Sequence, residues 1–161
     1  MIHQRIAEYL NGKGIAWHAH GHPRRVSAQE TAAVEHISGK QFAKTVVLDV
    51  DGRFVLAMLP AHLDVDLARL GGELGDARLA PETSFAERFP GCEVGAMPPL
   101  GELYGIEVVM DESLTRQPFI VFNGGTHEDS IQMATDDFMR LAPVRVLELG
   151  RPGWERRKRV A

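Results

Sequence analysis

The clearest pattern in the chain is a pair of apolar runs on either side of Asp51-Gly52. Residues 46–50 are mostly valine and leucine, and residues 54–59 continue with the same apolar character. These residue types favour strands, and Asp-Gly is typical of a two-residue hairpin turn. The pattern predicts a β-hairpin over residues 41–59, with Lys44 at the mouth of its first strand.

The remaining hydrophobic and polar positions predict short helices and strands in alternation. The predicted helices are residues 2–12, 27–36, 62–72, 80–89 and 136–142, with Ser27 and Thr135 as caps. The predicted strands outside the hairpin are residues 15–20, 105–111, 119–125, 130–134 and 144–149. Most strands are too closely spaced for β-α-β crossovers. The sequence therefore predicts an α+β fold, a single domain built around one mixed sheet.

Length and composition agree with a small cytoplasmic domain. The chain has 161 residues, of which 25% are charged and 44% hydrophobic. No apolar run approaches the roughly 20 residues of a membrane helix, and the N-terminus does not look like a signal peptide. Cys92 is the only cysteine, which excludes an internal disulfide and favours a reducing compartment.

Charge is distributed unevenly along the chain. Residues 151–161 hold five basic residues and one acidic residue, whereas residues 1–150 carry a balance of −8. We expect residues 1–150 to form the folded domain and residues 151–161 to form a basic tail. Such a tail can contact a polyanion such as nucleic acid, or it can be a solvated end that aids solubility.

Three histidines alternate in the segment HAHGH. On a strand, His18, His20 and His22 would face one side, which is a geometry that metal ligands can use. Gly21 and Pro23 would bend the strand at this point, so a polar strand edge or the lining of a substrate cleft is the favoured interpretation. A metal-binding protein is kept as a weaker functional alternative.

The other nucleophile and nucleotide signals are weak. Cys92 has no base beside it in the sequence, as a catalytic thiol would need. No G-x-S-x-G, P-loop or G-x-G-x-x-G motif occurs, so serine hydrolase and nucleotide-binding functions have no support.

A stronger candidate combines Lys44, the loop from Gly95 to Gly101, and His127 after a glycine pair. Together they supply a cation, a rigid loop with free backbone amides and an imidazole, all at strand ends. An ammonium is costly to desolvate unless it is paired or used. The combination suits the binding and hydrolysis of a small polar ester.

These residues resemble the YbaK/prolyl-tRNA-synthetase-associated domain family. The similarity runs over about residues 1–149 and is carried by FAKTVVL, by GAMPPLG and by GGTH. GAMPPLG matches the G-x-x-x-P loop of the family at Gly95 to Pro99, and GGTH matches its G-x-H element at Gly125 to His127. The resemblance implies a barrel-like mixed sheet flanked by helices and a trans-editing aminoacyl-tRNA deacylase, with tRNA for proline as one candidate.

The resemblance also implies the site. Lys44, Gly95 and His127 would be catalytic, helped by a ribose hydroxyl of the substrate and without a metal or cofactor. The implied substrate-binding residues are Thr45, Ala96, Met97, Pro98, Pro99, Gly101 and Gly125. The implied partners are aminoacyl-tRNA and an aminoacyl-tRNA synthetase, with neither DNA nor a membrane. Arg156, Arg157, Lys158 and Arg159 of the tail are candidate tRNA contacts. The alternative is a catalytically silent module that binds a tRNA end or a small metabolite.

Overall fold

The computed structural model describes residues 2–25 and 27–153. The helices are α1 Gln4–Gly12, α2 Ala28–Val34, α3 Leu67–Leu70, α4 Glu82–Phe85, α5 Gly101–Tyr104 and α6 Thr135–Leu141, with 3-10 turns at Ala86–Arg88 and Glu112–Arg116. The strands are β1 Trp17–Gly21, β2 Ala43–Val50, β3 Arg53–Pro60, β4 Leu63–Val65, β5 Ala77–Leu79, β6 Glu107–Asp111, β7 Phe119–Asn123, β8 Asp129–Ala134, β9 Arg145–Leu147 and β10 Gly150–Pro152. In this part of the chain, no helix is long and apolar enough to cross a membrane.

The strands form three hydrogen-bonded groups. A five-stranded sheet has the order β5-β2-β3-β6-β9, a three-stranded sheet has the order β1-β8-β7, and β4 pairs with β10. A parallel bridge between Phe42 and Val121 joins the first two groups. The predicted α+β class is confirmed. The prediction of one sheet was wrong, because the five-stranded and three-stranded sheets are separate and meet at this bridge.

The hairpin prediction is confirmed. Strands β2 and β3 pair in antiparallel register from Ala43 opposite Pro60 to Val50 opposite Arg53. Asp51 and Gly52 both have positive φ, at 50° and 88°, as a type I′ turn requires. The backbone N–H of Gly52 also donates to the Asp49 carboxylate at 2.9 Å. Local turn chemistry therefore sets the register that places Lys44 opposite Leu59.

Some local predictions were wrong because distant pairing overrides helical spacing. Residues 62–72, predicted as one helix, begin with β4, which pairs with β10 near the end of the chain. The short helix α3 begins only after Asp66, whose side chain accepts from the backbone N–H of Arg69. Thr135 is not a cap: it is the first residue of α6, and Ala134 occupies the cap position without a side-chain bond.

Strand β10 also changes the description of the tail. Arg151 and Pro152, which the sequence grouped with the tail, pair with Asp64 and Leu63 of β4. Residues 154–161, which contain Arg156, Arg157, Lys158 and Arg159, lie outside the described residues.

Side chains alternate between the two faces of β2, and this alternation organises the core. Ala43 and Val47 point into the largest apolar cluster, beneath α1 and the loop that contains Met97 and Leu100. Leu48 and Val50 point to the opposite side, into a second cluster. Phe42, also on that second side, packs with Val121, Ala61 and Ala32 of α2. Lys44 therefore lies on the face that α2 covers.

Candidate active site

The loop predicted as a catalytic element is fixed to the glycine pair by backbone hydrogen bonds. The N–H of Glu93 donates to the Gly125 carbonyl at 2.7 Å, and the N–H of Gly125 donates to the Ala96 carbonyl at 2.9 Å. Gly95 and Gly125 have φ of +87° and +100°, in the left-handed region that favours glycine. The structure thus brings Gly95, Ala96 and Gly125 together.

His127 is buried beside this loop, with 5% of its surface exposed. Its Nε2 lies 2.9 Å from the Val94 carbonyl oxygen, so Nε2 carries the proton that is donated there. Nδ1 is buried and has no hydrogen-bond partner. Nδ1 is therefore the unused ring nitrogen, which a substrate hydroxyl, ammonium or water can fill.

Glu93 ties the His127 segment to the segment before α2. Its carboxylate lies 2.9 Å from the Arg24 guanidinium and accepts a hydrogen bond from the His127 backbone N–H at 3.4 Å. The hydrogen bond from Arg24 is the main cause that lowers the pKa of Glu93, so the carboxylate stays charged. The N–H of Arg25 donates in turn to the His127 carbonyl at 3.2 Å. Glu93 and Arg25 therefore fix the backbone of His127, while the Val94 carbonyl is the hydrogen-bond partner of its ring.

Lys44 is not bonded to this group. Its Nζ lies 3.4 Å from the Asp64 carboxylate, and 23% of its side chain is exposed. Burial lowers the pKa of Lys44, and Asp64 partly offsets the shift. Within residues 2–25 and 27–153, no hydrogen bond or ion pair links Lys44 to Gly95 or His127. Thr45, its predicted neighbour in the site, follows the alternation to the other face of β2.

A row of polar side chains continues from Lys44 across the three-stranded sheet. Asn123 lies two residues beyond the bridge on β7, as Lys44 does on β2, and on the same face. Ser130 is directly opposite Asn123, and His20 is directly opposite Ser130. The Ser130 hydroxyl donates to Glu35 at the end of α2. Sequence reasoning missed Asn123, Ser130 and Glu35.

A match to a family model decides the identity. Residues 22–141 match the model described as the aminoacyl-tRNA editing domain. The chain belongs to this family. The resemblance predicted from the three sequence motifs is therefore confirmed, and the glycine loop and His127 lie within the matched part of this editing domain.

The relatives match over different shares of their own length. A protein of Escherichia coli K12 named multifunctional Ser/Thr-tRNA deacylase ProXp-y is 28% identical over 148 residues, which cover 88% of this chain and 89% of the relative. The proline–tRNA ligase of a Geobacter species is 30% identical over 118 residues, which cover 67% of this chain and 20% of the ligase. A crystal structure described as a candidate trans-editing enzyme for prolyl-tRNA synthetase has a TM-score of 0.79 at 23% identity, covering 92% and 96% of the two chains.

The second half of the Gly95–Gly101 loop packs against the rest of this editing domain and does not face the group around His127. Met97, Pro98 and Pro99 are buried. Pro99 and Gly101 line an apolar cavity of about 380 Å³ that also contacts Tyr9 and Phe138. A Cβ at Gly101 would lie 2.2 Å from the Ile106 carbonyl oxygen, so glycine is required there for space.

The predicted alternatives at the histidines and at Cys92 gain no support. The Nε2 of His20 lies 3.0 Å from the Gln132 side-chain oxygen, and His22 Nδ1 lies 2.8 Å from the Pro23 carbonyl. Among the described residues, no three His, Cys, Asp or Glu side chains are grouped to hold a metal ion. Burial raises the pKa of the Cys92 thiol, which opposes a role as a nucleophile.

The free Nδ1 of His127 leads to a prediction that separates its two nitrogens. His127→Gln can keep a bond to the Val94 carbonyl but loses Nδ1, whereas His127→Asn keeps a polar atom near Nδ1 and loses the bond to Val94. If Nδ1 contacts the substrate, we expect His127→Gln to lower the single-turnover deacylation rate about 100-fold, the low end for a lost proton carrier. His127→Asn should retain more activity despite a lower melting temperature. A glutamine variant as active as the wild type would remove His127 from the site.

Proposed function

We propose that this chain is a trans-editing aminoacyl-tRNA deacylase, which hydrolyses the ester between a wrong amino acid and the terminal ribose of a tRNA. The observation that carries the proposal is the buried imidazole of His127, bonded through Nε2 to the Val94 carbonyl and left with an unused nitrogen beside the glycine loop. Family membership supports the same chemistry. The products are the free amino acid and the uncharged tRNA.

The chemical step needs stabilisation of a tetrahedral intermediate. Water adds to the ester carbonyl, the carbonyl oxygen becomes an oxyanion, and the ribose oxygen leaves with a proton. We assign Lys44 to offset the negative charge near the carbonyl or the adjoining phosphate. The Gly95 loop positions the ester, because its backbone is fixed to Gly125 before any substrate arrives. His127 accepts a hydrogen bond from the substrate or the attacking water.

The rival function is a binding module without turnover. A module would need the same pocket, and its ligand could fill the unpaired imidazole nitrogen of His127 as a substrate would. Leaving a buried polar atom unpaired costs about 1–3 kcal/mol, which is more easily understood where a substrate supplies the partner. This cost favours a ligand site over simple retention of the fold, and release of amino acid is the property that separates the deacylase from the module.

Incubation with a panel of mischarged tRNAs tests the proposal. Seryl and threonyl esters come first, since the Escherichia coli relative is named for serine and threonine, and tRNA for proline is included because two relatives are named for its ligase or for trans-editing beside it. We expect catalytic release of at least one amino acid, with correctly charged prolyl-tRNA spared. Stoichiometric binding of tRNA with no release of amino acid across the panel would establish the silent module instead.

We further propose that the basic tail helps to hold tRNA. An acidic domain repels an acceptor stem, and Arg156, Arg157, Lys158 and Arg159 are the densest run of cations in the sequence. Ending the chain after Gly153 keeps β10 intact and should weaken tRNA binding. Its log–log salt slope should fall by about 0.7 to 0.9 for each phosphate that the shortened chain no longer binds. The single-turnover rate at saturating tRNA should stay near that of the full chain. An unchanged salt slope would make the tail a solubilising end.

A further inference from the structure

A cavity of about 330 Å³ lies between β1 and the end of α2, and two of the alternating histidines line it, as one interpretation of that segment expected. Its polar lining includes His20, His22, Glu35 and Gln132. The cavity is on the same face of the three-stranded sheet as the row that runs through Ser130 and Asn123 to Lys44. A row of side chains on neighbouring strands therefore links this cavity to Lys44.

Glu35 supplies a fixed carboxylate with one unused oxygen. Oε1 accepts a hydrogen bond from the hydroxyl of Ser130, a residue with no exposed surface. Oε2 is buried and has no hydrogen-bond partner. A buried carboxylate oxygen without a donor is costly, because the group has lost water and gained nothing in return. A hydrogen-bond donor bound in the cavity would satisfy this oxygen.

His22 presents a second acceptor to the same cavity. Its Nδ1 faces the Pro23 carbonyl at 2.8 Å, which can only accept, so Nδ1 carries the proton. In the tautomer with its proton on Nδ1, the Nε2 atom is a lone-pair acceptor, and it is buried without a partner.

Asn123 adds a third acceptor on the strand next to Ser130, outside the lining of the cavity itself. It stands directly opposite Ser130 across β7 and β8, where paired side chains lie about 4.5–5.5 Å apart at Cβ. Only 8% of Asn123 is exposed, and its Oδ1 has no hydrogen-bond partner. The unpartnered atoms found in this cluster of Glu35, His22 and Asn123 can thus all act as acceptors, and one of them belongs to a carboxylate.

We infer that this cluster binds the α-ammonium group of the amino acid carried by the substrate, with Glu35 as its principal ligand. An ammonium offers three N–H donors and a positive charge, which match the three free acceptors, one of them on the Glu35 carboxylate. The inference rests on the proposed function and adds to it the recognition of a free amine. Lys44 and Glu35 would then bind opposite ends of the aminoacyl group, the cation near the carbonyl or phosphate and the carboxylate at the amine.

Calorimetry with a hydrolysis-resistant probe tests the inference without turnover. The probe is serine joined by an amide to 3′-amino-3′-deoxyadenosine, and its counterpart lacks only the α-amine. We expect the wild type to bind the amine probe about 10- to 100-fold more tightly, the range for a hydrogen bond to a charged group. Glu35→Gln should reduce this preference to within a few-fold. Glu30→Gln changes an exposed glutamate on the same helix and should keep the full preference.

Two further arms make each outcome decisive. Ser130→Ala removes the bond that fixes Glu35 and should also reduce the preference, which covers the case that Glu35→Gln does not reach a native melting temperature. Free serine separates a site for amino acids in general from one that needs the adenosine. Equal binding of both probes, binding of neither, or an undiminished preference in Glu35→Gln would overturn the inference. A wild type that prefers the amine probe but releases no amino acid from any tRNA would uphold the inference and refute the proposed deacylase.

Discussion

Replacing Lys44 by methionine is expected to lower the single-turnover rate of deacylation about 100- to 1,000-fold, as the loss of one electrostatic donor does in other acyl-transfer sites. Methionine has a similar length and no charge, so the change removes the ammonium and little of the packing. The exposed Lys40, four residues earlier, gives a matched control: Lys40→Met should keep the wild-type rate. A normal rate in Lys44→Met would show that this lysine is not a site residue.

Asp64 provides a second control, because Lys44 pairs with it in the structure. If the lysine served only this ion pair, Asp64→Asn would impair activity as much as Lys44→Met does. If Lys44 acts on the substrate, Asp64→Asn should leave a measurable fraction of the rate, since the ammonium remains. The comparison of the two variants therefore separates a structural pair from a catalytic cation.

The stability of Lys44→Met should depend on pH in a direction that follows from the lowered pKa of Lys44. The folded protein binds fewer protons than the unfolded chain between the folded pKa and the ordinary value. The cost of burying the charge is therefore complete below the folded pKa and declines as the pH rises through it. We expect Lys44→Met to be at least as stable as the wild type at neutral pH, with any advantage shrinking at alkaline pH in denaturant titrations.

Features that depend on neighbouring residues could be predicted from the sequence. The hairpin turn at Asp51-Gly52 and the cap of α2 by Ser27, whose side chain accepts from Glu30, both follow from local chemistry. Features that depend on distant partners could not. Strand β4 exists because β10, about 87 residues later, pairs with it, and nothing in its own spacing indicates this.

The same division applies to the site. The family motifs identified Gly95, Gly125 and His127, which the structure brings together. Glu35 and Ser130 are 95 residues apart, and they meet only because the register of β8 places Ser130 beneath the end of α2. One available signal was the alternation on β7, which puts a polar residue, Asn123, on the same face as the buried Val121.

Gly95→Ala is expected to lower the deacylation rate about 10- to 100-fold by moving His127. The backbone at Gly95 has φ +87°, which costs a residue with Cβ roughly 1–2 kcal/mol. The new Cβ would also lie 3.3 Å from Cε1 of His127, close enough to displace the ring by a few tenths of an ångström. Displacing a catalytic group by this amount lowers the rate strongly where catalysis depends on its exact position relative to the substrate.

Gly105→Ala is the control that introduces backbone strain without displacing a neighbouring side chain. Gly105 has φ +67°, and a Cβ there would meet no atom within 4 Å. Both variants should therefore lose similar stability in thermal melts, while only Gly95→Ala should lose rate. In the double variant Gly95→Ala/His127→Ala, the two losses of rate should not multiply, because most of the effect of Gly95→Ala passes through the same imidazole. Equal activity of Gly95→Ala and Gly105→Ala, or full additivity in the double variant, would show that Gly95 does not act through His127.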